Sequence, residues 1–457
     1  MNAWQPYTPT KSDPWDAEKI GHLFRRAAFG ASHINLLEGL RDGPEKTVDR
    51  FLSGDAADAD FEKTCEFMAS ERSLPASAPT RSLAAYWLYR LLKSPDPLRE
   101  KLALFWHNHF ATSHTKVENA RYMVEQYDTI HKHALGSFAE LLQAMTIDPA
   151  MMIWLDTIES KKGKPNENYA RELMELFSLG IGHYTEADIR EAAKAFTGYT
   201  VKAGEMRFTA KEHDDTVKKV FGQSGQYEAK DVVKLCLAQS ACPKFLVTKL
   251  YRFFISETEA PKPEVIEPLA EQYRESGFDT AKLVGTILRS QLFFSKVAYR
   301  QRVKSPVEFA VGIVRCLEGN VGPLPLAESL EGLGQILFAP PSVKGWDGGT
   351  AWLNAQTLLF RQNLALALTS TDDSRFGRRC DPVTAWKKSQ SKDMVEYFTT
   401  LFLQNDLPAK SREKLQGYLQ ESQAMKRPPF WSDEDVQHHR VRTLAHLTLS
   451  LPEYQLC

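Results

Sequence analysis

Apolar residues recur every three to four positions along most of this chain, and that helical period limits the fold more than any other feature. In "AEKIGHLFRRAAFG", Ile20, Leu23 and Ala27 fall on one helix face, and Gly30 ends the segment. The same period returns in "DPLREKLALFWHNHF" and "TAKLVGTILRSQLFF", whereas strand-like alternation is clear only in "YTVKAGEMRFTA". We therefore predict an all-α protein, a large multi-helix domain with a small β-hairpin insertion near residues 199–222.

The chain is longer than a single compact core usually requires, with 457 residues. A loop-rich stretch at 371–390 interrupts the helical pattern. We expect a main helical domain over 1–370, which carries the motifs described below, and a C-terminal helical region over 371–457 packed on it.

Charge and hydropathy exclude several classes of protein. Lys and Arg number 57 and Asp and Glu number 58, a balance that argues against a nucleic-acid partner. No stretch approaches the roughly 18 apolar residues of a membrane span.

The N-terminus is polar, with no secretory signal, and the six cysteines form no Cys-x-x-Cys pair. As it stands, the sequence predicts a cytoplasmic protein with reduced thiols.

The segment "PNENYARELMELFSLG" begins a helix with an unusual density of polar groups. Asn166 or Asn168 is predicted to cap the helix, which should run to about Leu179. Glu167 and Arg171 are four residues apart, in the order that favours an ion pair. In the next segment, "HYTEADIREAAKAFTG", Thr185 is predicted to cap a second helix.

Capping and ion pairing leave part of this polar cluster unexplained. Arg171, Glu172 and Glu175 gather beside Tyr169, which belongs to the apolar face of the helix. Titratable groups clustered in this way are typical of functional sites. We therefore expect this helix to border a polar cleft.

The segment "FWHNHFATSH" contains a His-x-His pair. Helix residues two apart point in directions about 200° apart, so His107 and His109 could share an ion only if the helix ended by about Asn108. His109 faces the core, where His114 or Glu172 would be a better partner. One hypothesis is a divalent metal, zinc or iron, with His107, His109 and Glu172 as ligands. The alternative is a buried histidine held by hydrogen bonds.

The segment "FTAKEHDDTVKKVFG" follows the predicted hairpin. Its His213–Asp214 pair could orient a catalytic histidine or supply metal ligands, with Lys218 nearby. The alternative is a charged turn that Asp214 caps.

The segment "APPSVKGWDGG" describes a rigid loop, because proline restricts the backbone and glycine permits torsions that other residues avoid. Trp346 in this loop could form the wall of a pocket or fill a gap in the core. The two interpretations are equally compatible with the sequence.

Several stretches, taken in order, resemble the bacterial domain-of-unknown-function 1800 family. They are "HLFRRAAFG", "WHNHFATS", "PNENYARELMELFSLG", "YTEADIREAAKAFTGY", "HDDTVKKVFG", "LYRFFIS", "KSPVEF", "GQILFAPPSVKGWDGG" and "LPEYQ". The resemblance implies no established activity. It implies that the His, Glu/Arg and His-Asp stretches meet in space, and that a sulfatase-like protein is the partner. It also implies export, from which this chain departs because it shows no signal.

Two functions fit these observations. The first is a hydrolytic enzyme, metal-assisted or working by acid–base chemistry, with Glu172 or His109 as the acid–base group and Arg171 as an anion clamp. The second is a helical scaffold or partner-binding protein, in which the same cluster is a buried polar network. We expect His109 and Glu172 to belong to one side-chain network. The proposed cleft comprises His107, Asn108, His109, Glu167, Tyr169, Arg171, Glu172, Glu175, His213, Asp214, Lys218 and Trp346.

Overall fold

Helices dominate the computed structural model, which describes residues 3–202, 204–370, 375–376, 380–424 and 427–457. They make up 61% of the structure, and the strands form two small antiparallel hairpins. The predicted fold class is confirmed.

The first part of the chain is helical up to the hairpins. Its helices are α1 (Ala17–Ala27), α2 (His33–Ser53), α3 (Ala59–Ala69), α4 (Thr80–Lys93), α5 (Pro97–His109), α6 (His114–Val117), α7 (Ala120–His133), α8 (Phe138–Thr146), α9 (Pro149–Trp154), α10 (Asn168–Glu172), a π-helix (Leu173–Ser178) and α11 (Glu186–Ala195).

Two hairpins then precede a second run of helices. The strands are β1 (Tyr199–Lys202), β2 (Glu205–Phe208), β3 (Lys218–Val220) and β4 (Gln223–Gly225). The later helices are α12 (Ala229–Ala238), α13 (Ala241–Phe254), α14 (Pro263–Glu275), α15 (Thr280–Arg289), α16 (Pro306–Cys316), α17 (Pro323–Gly332), α18 (Ala355–Thr369), α19 (Pro382–Ser389), α20 (Met394–Leu403), α21 (Ala409–Ala424) and α22 (Asp433–Leu449).

The first hairpin lies where the alternating pattern placed it, whereas the second was not predicted by that pattern. Tyr199 pairs with Phe208 in the first hairpin, and Lys218 pairs with Gly225 in the second. The predicted turn includes Ala203, which lies outside the described residues. The second hairpin extends the β region slightly beyond the predicted boundary.

Helix α5 crosses the interior and carries the His-x-His pair into it. Asp96 caps its first turn by accepting a hydrogen bond from the Arg99 backbone N–H, and Pro97 occupies the first helical position. Leu102 and Trp106 are fully buried on this helix. Because α5 is buried on more than one face, both of its terminal histidines are excluded from water.

Charged residues on α5 also attach it to neighbouring helices. The Lys101 ammonium lies 2.5 Å from the Glu308 carboxylate on α16. Arg302 contacts the same carboxylate oxygen at 3.4 Å. A buried ion pair of this kind costs desolvation but becomes strongly destabilising when one partner is removed.

Polar contacts join the last residues of the chain to residues before position 370. The Arg361 guanidinium on α18 donates to the Gln455 side-chain oxygen at 3.2 Å. Backbone groups of Arg302 and Cys457 exchange hydrogen bonds at 3.3 and 2.8 Å. These contacts connect the last residues to α18 and to the segment that precedes α16.

Thr185 caps α11 as predicted. Its hydroxyl accepts a hydrogen bond from the Asp188 backbone N–H at 3.2 Å, and the Asp188 carboxylate accepts from the Thr185 N–H at 2.9 Å. This reciprocal pair is a capping box. Thr185→Ala should therefore lower the free energy of unfolding by about 1 kcal/mol, measured by urea denaturation.

The control is Thr185→Ser, which keeps the capping oxygen. Its free energy of unfolding should stay within roughly a few tenths of a kcal/mol of the parent value. An alanine variant as stable as the serine variant would show that the cap contributes nothing.

Candidate functional site

The polar segment predicted to be one continuous helix changes type within its length. Asn168–Glu172 is α-helical, and Leu173–Ser178 is a π-helix. Neither asparagine caps the helix in the predicted way. Instead, the Asn166 side chain accepts from the backbone N–H of Asn168, which is itself the first helical residue, at 2.9 Å. A π-helix is rare and is often found at functional sites.

The end of the π-helix leaves carbonyl groups available to other segments. The backbone N–H groups of Leu179 and Gly180 both donate to the Met174 carbonyl, at 3.0 and 3.1 Å. Gly180 has a φ of 84°, the left-handed conformation that a glycine adopts without strain. The carbonyls of Leu176 and Phe177, in the last turn of the π-helix, therefore need partners from elsewhere in the fold.

His109 and Lys249 are those partners. His109 Nε2 donates to the Phe177 carbonyl at 3.0 Å, and Lys249 Nζ donates to the Leu176 carbonyl at 3.2 Å. Lys249 Nζ also lies 2.9 Å from His109 Nδ1. A carbonyl can only accept, so the imidazole proton is on Nε2 and Nδ1 accepts from the lysine. The pair thus joins α5, the π-helix and α13.

Burial controls the charge of both groups. The His109 side chain is 4% exposed, and burial together with the Lys249 ammonium holds the pKa of this imidazole well below its usual value. Burial lowers the pKa of Lys249 to about 7. Within the described part of the chain, no Asp or Glu lies within ion-pair distance of Lys249. His109 is therefore neutral at pH 7, and the Lys249 amine is divided between its charged and uncharged forms.

Glu172 does not bond to His109. Both imidazole nitrogens of His109 are occupied by Phe177 and Lys249. Glu172 is half-buried, and among the described residues it makes no hydrogen bond through its carboxylate. Burial, followed by the nearby Glu175 carboxylate, raises the pKa of Glu172. The expected His109–Glu172 hydrogen bond is not formed, because α5 meets the carbonyl end of the π-helix and Glu172 lies in the preceding α10.

Arg171 is held on the surface by carboxylates. Its guanidinium contacts Glu186 at 2.8 and 2.9 Å and Glu167 at 3.4 Å. The predicted Glu167–Arg171 ion pair is confirmed, and the fork to Glu186 adds a link to α11. These contacts engage both terminal nitrogens of Arg171, and its role as an anion clamp stays a prediction.

The two remaining groups of this segment also have partners. Glu175 accepts a hydrogen bond from the Tyr184 hydroxyl at 2.6 Å. Burial and this carboxylate together raise the pKa of Tyr184 to about 12. Tyr169 is buried, and its hydroxyl donates to Thr146 at 2.8 Å. These bonds tie α10 and the π-helix to α8 and to the end of the loop that precedes α11.

His107 lies in an aromatic environment apart from the contacts of His109. Its ring centroid is 5.0 Å from that of Trp87, 5.7 Å from Phe338 and 5.8 Å from Trp346. Burial lowers the pKa of His107 to about 3.

The described ranges contain no group of three or more His, Cys, Asp and Glu side chains that could hold a metal ion. The structure thus gives the metal hypothesis no ligand set.

Asn108 fastens the glycine- and proline-rich loop. Its side-chain oxygen accepts from the Trp346 backbone N–H at 2.7 Å, and its amide donates to the Trp346 carbonyl at 3.4 Å. Gly345 has a φ of 83°, and a Cβ there would lie 2.2 Å from the Asn108 oxygen. Only glycine fits this approach. Trp346 is 8% exposed and packs with Val303, which agrees with the interpretation that it fills a gap in the core.

The His213 segment forms a separate polar turn beside the hairpins. His213 Nδ1 bonds to the Thr197 carbonyl at 2.9 Å. The Asp214 carboxylate accepts from the backbone and hydroxyl of Thr216, at 3.0 and 2.6 Å. Lys218 donates to the carbonyls of Asp214 and Thr216, at 2.6 and 3.1 Å. This arrangement matches the alternative of a turn capped by Asp214.

Lys249 is the residue that the sequence analysis missed. Cys242 and Leu246 are fully buried on α13, and Lys249 lies seven and three residues after them, on the same helix face. A lysine within an apolar face is unusual and needs a polar partner. That position was the available signal, although it does not identify His109.

Comparison with known proteins gives one match. The family model described as "Protein of unknown function (DUF1800)" matches residues 22–456. No curated protein and no solved structure matches the chain. Within the described ranges, no helix combines the length and apolar character that crossing a membrane would require. Because the family model covers nearly all of the sequence, the chain belongs to the DUF1800 family of proteins of unknown function.

Proposed function

We propose that this protein is a helical scaffold that binds a partner protein, and that its buried polar cluster holds the helices of the scaffold in place. The observation that carries the proposal is that side chains of the cluster form hydrogen bonds to backbone groups of other segments. His109 bonds to the Phe177 carbonyl, Asn108 bonds to the Trp346 backbone, and His213 bonds to the Thr197 carbonyl. Side chains committed to main-chain groups of other segments fix positions rather than await a substrate.

An acid–base enzyme is the second candidate, and Glu172 is the observation that favours it. This half-buried carboxylate has a raised pKa and no hydrogen-bond partner among the described residues. A general acid works best when its pKa lies near the working pH, and burial shifts the pKa of Glu172 upward, in that direction. It also needs a neighbouring group to position the substrate, and Arg171 is already paired with Glu186. The scaffold therefore accounts for more of the cluster.

An exposed apolar face on α18 is the surface that we assign to the partner. Leu358, Leu359, Phe360 and Leu366 are 37%, 59%, 40% and 50% exposed. Leu359 and Leu366 are seven residues apart, so they share one side of the helix. Leu358 and Phe360 lie about 100° to either side of Leu359 around the helix axis. Exposed apolar groups on a helix are typical of protein interfaces. We call these four residues the α18 apolar face.

The composition of α18 indicates the kind of contact. Arg361 is the one charged residue of Ala355–Thr369, and it is buried against the protein interior. The face is therefore uncharged and suits an apolar surface on the partner. The family resemblance implies a sulfatase-like protein, which is the first partner to test.

The test is a double substitution, Leu359→Glu with Leu366→Glu. It should weaken binding to a sulfatase-like partner by at least about tenfold in isothermal titration calorimetry, because two charges would enter an apolar contact. Both side chains are largely exposed, so the free energy of unfolding should change by less than about 0.5 kcal/mol.

The matched control is Ile181→Glu, which places a charge at an apolar position that is 79% exposed and distant in sequence from α18. It should leave the affinity unchanged. Binding that survives the double substitution would remove α18 as the interface. A wild-type chain that binds no sulfatase-like protein would reject that partner.

A further inference from the structure

We propose that the cleft between α14 and α15 binds a small carboxylic acid with an apolar tail, in its ionised form. The cleft has a volume of about 490 Å³, within the range of about 300–1,000 Å³ that is typical of small-molecule sites. Residues of α14, of α15 and of the N-terminal segment line it. None of them belongs to the polar cluster or to the α18 apolar face, so the proposal does not depend on the scaffold function.

The N-terminal segment forms one wall of the cleft, and hydrogen bonds hold this wall in place. The Trp4 indole N–H donates to the Val265 carbonyl on α14 at 2.7 Å. The Tyr7 backbone N–H donates to the Arg289 carbonyl at the end of α15, also at 2.7 Å. The segment is thus attached to both helices. The cleft is therefore formed without a ligand, so binding does not have to order this wall.

The interior of the cleft is apolar. Trp4, Leu269, Tyr273 and Leu283 are almost wholly buried in the fold, and each of them borders the cleft. Transfer of an apolar group from water to such a surface is favourable. The tail of the ligand should therefore lie against these side chains, which requires a hydrocarbon chain or an aromatic ring.

The charged residues of the cleft are both cations. Lys282 and Arg289 are seven residues apart on α15, so they lie on the same side of the helix. No Asp or Glu is among the described residues that line the cleft. A carboxylate bound between the helices would therefore meet complementary charge, whereas an ammonium group would be repelled.

Arg289 has donors available for such a carboxylate. Its Nη2 pairs with Asp49, which does not line the cleft, whereas Nε and Nη1 donate to no other described residue. Nη1 lies over Gly285, which also lines the cleft, and a Cβ added to this glycine would be 2.6 Å from Nη1. The missing side chain thus leaves room for the guanidinium at the cleft. Its free N–H groups can form charge-assisted hydrogen bonds to a carboxylate.

Lys282 supplies the second cation. Its ammonium lies 3.2 Å from the Asp279 carboxylate, but its side chain is 72% exposed. An ion pair in that environment contributes little, because water screens it. The ammonium can therefore turn toward a ligand at small cost. We expect Lys282 to strengthen binding less than Arg289 does, because ordering its flexible chain costs entropy.

Isothermal titration calorimetry of the full chain at pH 7 with three related compounds tests the proposal. Phenylacetate has both a carboxylate and an apolar ring, and it should bind one-to-one with a Kd of about 1 mM or lower. Phenylacetamide keeps the ring without the charge, and acetate keeps the charge without the ring. Each of these two should bind at least about tenfold more weakly than phenylacetate.

Two substitutions locate the site. Arg289→Gln should weaken phenylacetate binding at least about tenfold, and Lys282→Gln at least about threefold. The matched control is Arg274→Gln, because Arg274 is an exposed arginine on α14 that pairs with Glu271 and does not line the cleft. It should leave the affinity unchanged. Lys282 is exposed, so its substitution tests the site even if Arg289→Gln disturbs the fold.

Three results would overturn the proposal. The first is no binding of phenylacetate at concentrations up to about 10 mM. The second is an affinity for phenylacetamide equal to that for phenylacetate. The third is an affinity for phenylacetate that neither Arg289→Gln nor Lys282→Gln lowers below that of Arg274→Gln.

Discussion

Replacing Glu308 by glutamine should lower the free energy of unfolding by about 3–5 kcal/mol. The Glu308 side chain is 4% exposed and accepts from Lys101, at 2.5 Å, and from Arg302, at 3.4 Å. Its second oxygen accepts from the Ser305 backbone N–H at 2.8 Å. Lys101 is fully buried, so removal of the carboxylate leaves an ammonium without its counter-charge in the interior.

Urea denaturation followed by circular dichroism measures this loss. The matched control is Glu331→Gln, which removes an ion pair with Arg81 at 2.6 Å on the surface. Exposed pairs contribute little, so the control should change the free energy of unfolding by less than about 1 kcal/mol. Equal losses in the two variants would show that burial does not determine the strength of the Glu308 contacts.

The Glu308 effect should depend on pH. Burial alone would raise the pKa of this carboxyl, but the Lys101 ammonium and the Arg302 guanidinium outweigh burial and hold the pKa well below its usual range. A carboxyl with a depressed pKa in the folded state stabilises the protein fully above its unfolded pKa, about 4.3 for Glu. That contribution is lost as the pH falls toward the folded pKa. The gap between the parent and Glu308→Gln should therefore narrow below about pH 4.

Replacing His109 by alanine should lower the free energy of unfolding by about 2–4 kcal/mol. The substitution removes a buried ring. It also leaves the Phe177 carbonyl and the Lys249 amine each without one hydrogen bond. The cost therefore combines a cavity with unsatisfied polar groups, as measured by urea denaturation.

His183→Ala is the control for this variant. His183 is exposed, shortly after the end of the π-helix, so its removal should change the stability by less than about 0.5 kcal/mol. A His109→Ala variant as stable as this control would contradict the assignment of His109 as a structural residue.

Local sequence rules predicted those features that depend on neighbouring residues. The apolar period placed His109 in the interior, and the Thr-x-x-Asp spacing placed the cap of α11 at Thr185. The spacing of Glu167 and Arg171 predicted their ion pair. Each of these features involves residues within about one helical turn of each other or follows from the apolar face of a single helix.

The contacts that the sequence could not predict join distant segments. Lys249 is 140 positions from His109, and Asn108 is 238 positions from Trp346. The π-helix is a further example, because "LMELFS" has the composition of an ordinary α-helix. The carbonyls in its widened turn accept hydrogen bonds from His109 and Lys249. Only the tertiary fold brings these two residues to the π-helix.

A double-mutant cycle is the most direct test of the claim that the polar cluster is a structural network built on His109 and Lys249. The cycle compares His109→Ala, Lys249→Met and the double variant by urea denaturation, with a parallel cycle that replaces Lys249→Met by Glu172→Gln. We predict that the losses for His109 and Lys249 are non-additive by at least about 0.5 kcal/mol, because the two side chains share a hydrogen bond. The losses for His109 and Glu172 should add within about 0.5 kcal/mol. Additive losses in the first cycle, or coupling confined to the second, would contradict this network.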